Sequence, residues 1–243
     1  MNTRSNASGL TLAFDTSSHI LDIVLTDGNE SSRYTADAGR RHNELLATSI
    51  SDLLGTWPAR SRQLSRVICC RGPGSFTGLR IGIATAKGIA AAHRIPVYAV
   101  PTLTAYRIAS PNELVISAID GRKNRFYVEI FDGSRSLFGP VDAESERVIE
   151  AIQSLEMPAL RPFPIGDGRD IHVVGPDSTA FIRNIASRSP EFANRLKADS
   201  SYLDGVANAL VSCVRSAEDE KRFRLDDASG PDYLRPSQAE ESA

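Results

Sequence analysis

Two stretches of this 243-residue chain repeat each other at a fixed distance. Ala13-Phe14-Asp15 followed by Asp27-Gly28 recurs as Ala118-Ile119-Asp120 followed by Asp132-Gly133, in the same register and without a gap. In each copy an apolar run ends at an Asp and a short polar turn follows. A second run then covers Leu21–Thr26 or Phe126–Phe131, and Asp-Gly closes it. Asp-Gly suits a two-residue hairpin turn because both central positions take positive φ. A duplicated strand–turn–strand unit predicts two similar lobes and one carboxylate on each of the facing halves of a cleft.

The patterning extends this unit. Leu10–Asp15, Leu21–Thr26 and Ser32–Asp37 read as strands, and apolar positions Leu46, Ile50, Leu53 and Leu54 place a helix over Asn43–Leu54. A buried strand Leu64–Cys70, a helix Phe76–His93, a strand Val97–Val100 and a short helix after Pro101-Thr102 follow. The second copy gives strands Leu114–Asp120, Phe126–Phe131 and Ser136–Val141, a helix Ala143–Leu155, a loop over Met157–Gly168 and a strand Ile171–Val174. Helices Ser178–Ser187 and Leu203–Ser216 complete it, and Asp219–Ala243 reads as a polar end, partly mobile beyond Pro231–Arg235. The fold class is therefore α/β: βββαβα twice, the pattern of a duplicated ribonuclease-H-like (actin-like ATPase, ASKHA) fold. The division predicted is a disordered tail over 1–9, a first lobe over 10–110 with interface helices, a smaller second lobe over 111–235, and a tail over 236–243.

Composition narrows the function classes. A net charge of −2 and a pI near 6.1 argue against a dedicated nucleic-acid binder, which shows a basic face. No stretch approaches the roughly 20 apolar residues of a membrane span, and the start lacks a signal-peptide core, so a cytoplasmic, membrane-free protein is expected. Cys69, Cys70 and Cys213 read as reduced core thiols. The four histidines, at 19, 42, 93 and 172, include no i, i+4 pair, so no metal is expected. No Gly-x-Ser-x-Gly elbow occurs either.

Between a strand and a helix lies Arg71-Gly-Pro-Gly-Ser-Phe-Thr-Gly-Leu-Arg80. Its glycines run GxGxxxG, there is no Gly-Lys-Ser/Thr, and the next strand ends in Pro101 rather than an acid. That pattern is neither a dinucleotide fingerprint nor a P-loop. In the helix that follows, Gly78, Gly82, Ala86 and Ala90 recur every fourth residue and line one face. Glycine inside a helix costs about 1 kcal/mol against Ala, which is tolerated where another backbone must come close. The partner in that approach is either the chain's own sheet or a second subunit. The two aspartates are open in the same way. One Asp per lobe positions Mg²⁺ and water in nucleotide-binding folds of this kind, whereas Thr16-Ser17-Ser18-His19 lacks a phosphate-wrapping glycine and only Gly175-Pro176 stands on the adenine side. Asp15, Thr16, Asp120 and Gly175 are thus the residues of a degenerate nucleotide cleft, with ATP or ADP and Mg²⁺ as the only cofactors to be considered.

The string Ile68–Gly88 with Phe14-Asp15-Thr16-Ser17, Arg41-His42, Pro101-Thr102-Leu103, Ala118–Arg122 and the terminal Pro231–Arg235 resembles the bacterial TsaB (YeaZ) family. The resemblance covers most of residues 10–125 and a short C-terminal piece. It implies a non-catalytic subunit that supports TsaD in transferring threonylcarbamoyl to adenosine of tRNAs reading A-starting codons. It further implies a TsaD heterodimer, docking of the TsaE ATPase, tRNA contact only through the complex, and a homodimer when isolated. The expected interface consists of Leu46, Ile50, Leu53, Gly78, Gly82, Ala86 and Ala90, with no catalytic residue. The rival readings are a free-standing ATP-dependent phosphotransferase using Asp15 and Asp120, and a glycoprotease, the latter without a metal pair or nucleophile to support it.

Overall fold

A computed structural model describes residues 9–58, 63–156 and 170–234. The elements of the first half are β1 (Leu10–Asp15), β2 (Ile20–Thr26), β3 (Ser31–Asp37), α1 (His42–Thr56), β4 (Leu64–Gly72), α2 (Phe76–His93), β5 (Val97–Pro101) and α3 (Thr102–Ala109). Those of the second are β6 (Leu114–Arg122), β7 (Arg125–Asp132), β8 (Arg135–Glu144), α4 (Ser145–Glu156), β9 (Ile171–Val174), α5 (Ser178–Ala186), α6 (Pro190–Ala193), β10 (Leu196–Asp199), α7 (Val206–Cys213) and α8 (Ala217–Phe223).

The repeat is a repeat of topology. The first sheet orders its strands β3-β2-β1-β4-β5 and the second β8-β7-β6-β9-β10, each with an antiparallel meander joined to parallel strands. This is the ribonuclease-H-like order twice over. All six residues of β1 are buried, as expected of a central strand covered on both faces. Leu10, Leu12 and Phe14 join Leu46, Ile50, Ile83 and Ala86 in one core cluster. A separate cluster fills the second unit around Ile116, Val128, Val148, Val173 and Phe181, where Phe126 and Phe181 meet edge to face at 5.1 Å.

Two compact units emerge, but not at the predicted 110/111 boundary. The first runs to Pro101 and resumes over Val206–Pro231, and the second takes Thr102–Gly205. Thus α3 belongs with the second sheet, where the Ser117 hydroxyl donates to the Leu103 carbonyl at 2.9 Å and Arg107 Nε donates to the Gly133 carbonyl at 2.6 Å. Helix α7 returns to the first sheet, where the Ala207 amide donates to Asp22 Oδ2 at 2.9 Å. A linear reading assigns each helix to the lobe it follows, and here that rule fails at both.

Further elements differ from expectation, among them the four-residue helix α6. The single helix Leu203–Ser216 is a 3-10 turn over Ser201–Asp204 and then α7, parted by Gly205. The polar stretch from Asp219 opens within a helix the pattern did not give, α8, fixed by a capping box in which Ser216 and Asp219 satisfy each other's backbone amides. Strand β10 was missed because Leu-Lys-Ala-Asp shows no alternation, only Leu196 being buried. The expected loop over 157–168 and the tails 1–8 and 236–243 lie outside the described residues.

After α8, Leu225 buries its side chain in the first core and its amide donates to the Val97 carbonyl at 3.0 Å. Tyr98 and Arg224 form an antiparallel bridge there. The chain so pairs the edge of β5, and unpaired edges recruit other strands. Ending the chain after Arg215 should expose that edge and produce self-association, read as a rise in light scattering against the full chain.

Candidate functional site

Asp15 closes β1 and is 3 % exposed. Its Oδ1 accepts the Ser17 amide at 2.8 Å, and burial pushes the carboxyl above its ordinary range, against the pull of Ser17. The turn beyond it is already occupied. Thr16 donates its hydroxyl to the Gly78 carbonyl at 2.8 Å, and the Ser75 amide donates to the Ser17 carbonyl at 2.7 Å. A Cβ on Gly78 would stand 2.0 Å from the Thr16 carbonyl oxygen, and one on Gly74 2.6 Å from that of Ser17. The glycine-rich segment therefore serves to press the start of α2 onto the first Asp turn. Ser75 caps that helix, accepting the Gly78 amide at 3.2 Å.

In the second unit Asp120 takes the same place at the end of the central strand. Its amide donates to Asp177 Oδ2 at 2.9 Å, and its Oδ1 accepts the Arg122 amide at 2.7 Å. Asp177 opens α5 but makes no side-chain cap to that helix. Gly175, at φ 127°, lets its turn approach β6 so closely that a Cβ would meet the Ala118 carbonyl oxygen at 2.3 Å. Arg122, Lys123 and Asn124 follow in left-handed conformation, with the Arg122 guanidinium 3.3 Å from Asp120 Oδ2.

Nucleotide phosphates are held in such folds by free backbone amides at these turns. Here the Ser17, Ser75, Asp120 and Arg122 amides are each given to an oxygen of the chain itself. The residues present do not fit a nucleotide with Mg²⁺. Among the described residues, no group of three or more His, Cys, Asp or Glu side chains is placed to hold a metal ion. All three cysteines are free and buried, and burial pushes the Cys69 thiol up to about 12, which keeps it protonated and inert.

The seven residues expected to form the interface lie on the wrong side of their helices for that role. Leu46, Ile50, Leu53, Ala86 and Ala90 belong to the first core cluster. Gly78 meets the Thr16 carbonyl, and a Cβ on Gly82 would lie 2.4 Å from Thr16 Oγ1 and 3.6 Å from the Phe14 ring. The close backbone approach foreseen for this stripe is real, but it is made to the chain's own sheet. A Gly82→Trp variant would therefore disrupt the fold rather than test partner binding.

The opposite side of α2 carries what the sequence reading missed. Thr77, Ala84, Gly88 and Ala91 are exposed and Ile81 is half-buried, all at helical spacing. A Cβ on Gly88 meets nothing within 4 Å. The neighbouring charges are drawn aside: Arg80 lies over the Phe76 ring at 3.9 Å, and Lys87 Nζ donates to the Asp227 and Ser229 carbonyls at 2.7 and 2.6 Å. Both faces of α2 are built from small or apolar residues, so periodicity alone did not say which one looks outward.

Residues 34–242 match the family model described as TsaD, tRNA N6-adenosine threonylcarbamoyltransferase. The tRNA threonylcarbamoyladenosine biosynthesis protein TsaB of Haemophilus influenzae is 32 % identical over 60 % of this chain and 64 % of its own length. The TsaB of Bacillus subtilis is 28 % identical over 54 % of this chain and 58 % of its own. The chain thus spans somewhat under two thirds of the curated relatives it matches. Among solved structures, YeaZ from Pseudomonas aeruginosa superimposes with a TM-score of 0.64 at 22 % identity, covering 93 % of this chain and all of that one. Another structure, of a Pseudomonas aeruginosa protein similar to peptidase YEAZ, gives 0.67 at 23 % over the same 93 %. No helix among the described residues is long and apolar enough to cross a membrane. With the model matching most of its length, the chain belongs to the TsaD family, and its curated relatives and structural neighbours place it with TsaB (YeaZ).

Proposed function

We propose that this chain is a non-catalytic partner subunit in the making of threonylcarbamoyladenosine on tRNAs that read A-starting codons. Its role is to hold a TsaD subunit, which performs the transfer, with TsaE acting on the pair and tRNA reached only through the complex. The observation that carries this reading is the outer face of α2: Thr77, Ile81, Ala84, Gly88 and Ala91 offer a charge-free, low-relief strip with its lysine tied back. Such a strip lets a second helix come close with little side-chain entropy to lose. The self-satisfied amides at both Asp turns support a holding role over a phosphotransferase. In isolation the same strip pairs two copies of the chain.

Gly88→Trp and Ala84→Glu test this directly, since both positions are exposed and the room around Gly88 leaves the fold intact. Co-expressed with TsaD from the same cell, the unaltered chain should co-purify as a stoichiometric pair. Each variant should lose that pairing by at least tenfold while keeping the circular dichroism and melting of the parent. Full retention of TsaD by both would overturn the placement of the interface.

A further inference from the structure

The geometry points to a proton-sensitive latch at His42, which holds the first turn of α1 closed while its ring is neutral. His42 is the first residue of that helix and is 4 % exposed. The ring hydrogen-bonds the backbone of Ile20, while Nε2 is buried with no hydrogen-bond partner. The same junction is stitched by backbone: the His19 carbonyl accepts the Ala38 amide at 2.9 Å and the Gly39 amide at 3.1 Å. Thus the β1–β2 turn, the end of β3 and the start of α1 meet around one imidazole.

Neutral, the ring leaves only a lone pair unmet at Nε2. Protonated, it would bury a charged N–H with no acceptor, at the positive end of a 15-residue helix that has no side-chain cap. The titratable groups acting on the ring are Asp15 from β1, Asp37 from β3 and His19 from the turn. The two carboxylates favour the proton and His19 opposes it, but burial outweighs them and lowers the affinity for it. The closed form therefore refuses a proton that an opened, solvated ring accepts near pH 6.5. Below that value, opening of the first turn becomes about tenfold easier per pH unit, until the closed ring itself titrates. The latch stands or falls independently of the partner reading.

Hydrogen exchange of the full chain, corrected for the intrinsic pH dependence of exchange, reads the latch. Between pH 7.5 and 5.5 the protection of amides 43–47 should fall, by up to about tenfold, relative to those of α2. His42→Gln, which keeps a donor for Ile20 but does not titrate, should flatten that dependence. Should that variant not fold, His42→Asn serves the same purpose, and an NMR titration of the unaltered ring needs no variant. A flat profile in the unaltered chain, an unchanged profile in the variants, or a His42 ring titrating at or above pH 6.5 would each overturn the proposal.

Discussion

Gly78→Ala should destabilise the protein by about 3–5 kcal/mol, a large share of the 5–15 kcal/mol that holds a typical domain together. The added methyl would sit 2.0 Å from the Thr16 carbonyl oxygen, far inside any real contact. Relief requires α2 or the Asp15 turn to move by an ångström or more, because both sides of the clash are backbone. Such a shift breaks the Thr16–Gly78 and Ser75–Ser17 hydrogen bonds and reopens the packing of Phe14 against Gly82. The same substitution ten residues further along α2 provides the control. Gly88 faces open space, so Gly88→Ala should gain about 0.5–1 kcal/mol from helix propensity alone. Urea denaturation of the two variants should give midpoints displaced in opposite directions. A Gly78→Ala midpoint within about 1 kcal/mol of the parent would show that the approach of α2 to the turn is loose, and with it the closure of the first Asp turn.

That contrast also shows what could be read in the residues beforehand. The strand–turn–strand repeat gave both sheets their central strands, because an apolar run ending at Asp15 or Asp120 follows from local pattern alone. The four-residue spacing of Gly78, Gly82, Ala86 and Ala90 identified residues that share a face and admit a close backbone. It was silent on direction, since Thr77, Ala84, Gly88 and Ala91 are equally small and carry no charge to mark the solvent side. The closure of the nucleotide turns was legible only in part. The absent phosphate-wrapping glycine after Asp15 was visible, whereas the Asp177 carboxylate on the Asp120 amide joins residues 57 apart. Helix α8 had a local signature in Ser216 and Asp219 that polarity obscured. The exchange of α3 and α7 between the units had none, because it rests on packing between residues distant in sequence: α7 lies on β1, β2 and β4, with Asp22 accepting the Ala207 amide.

Asp22→Ala should cost about 3–5 kcal/mol and act first on α7. The carboxylate is 3 % exposed in the middle of β2 and serves three donors. Oδ1 accepts Arg33 Nε and the Thr35 hydroxyl, each at 2.7 Å, and Oδ2 accepts the Ala207 amide at 2.9 Å. One side chain thus ties the edge strand β3 to the sheet and caps a helix at Ala207, 185 residues later. Alanine takes one acceptor from a half-buried guanidinium and leaves a buried helix amide unmet, which costs more than the hydrogen bonds themselves contribute. An asparagine at this position would keep an acceptor but lose the charge that favours the first turn of a helix, so Asp22→Asn should cost about half as much. Hydrogen exchange should then show the amides of α7 losing protection ahead of β6 and β7, which the contact does not touch. A double-mutant cycle with Arg33→Ala separates the two roles: coupling of about 1–3 kcal/mol in stability belongs to the ion pair, and the early loss at α7 should remain when Arg33 is already gone. If α7 instead exchanged together with the second sheet in every variant, its attachment would have to come from apolar packing on β1 and β4, and Asp22 would be only the clasp of β3.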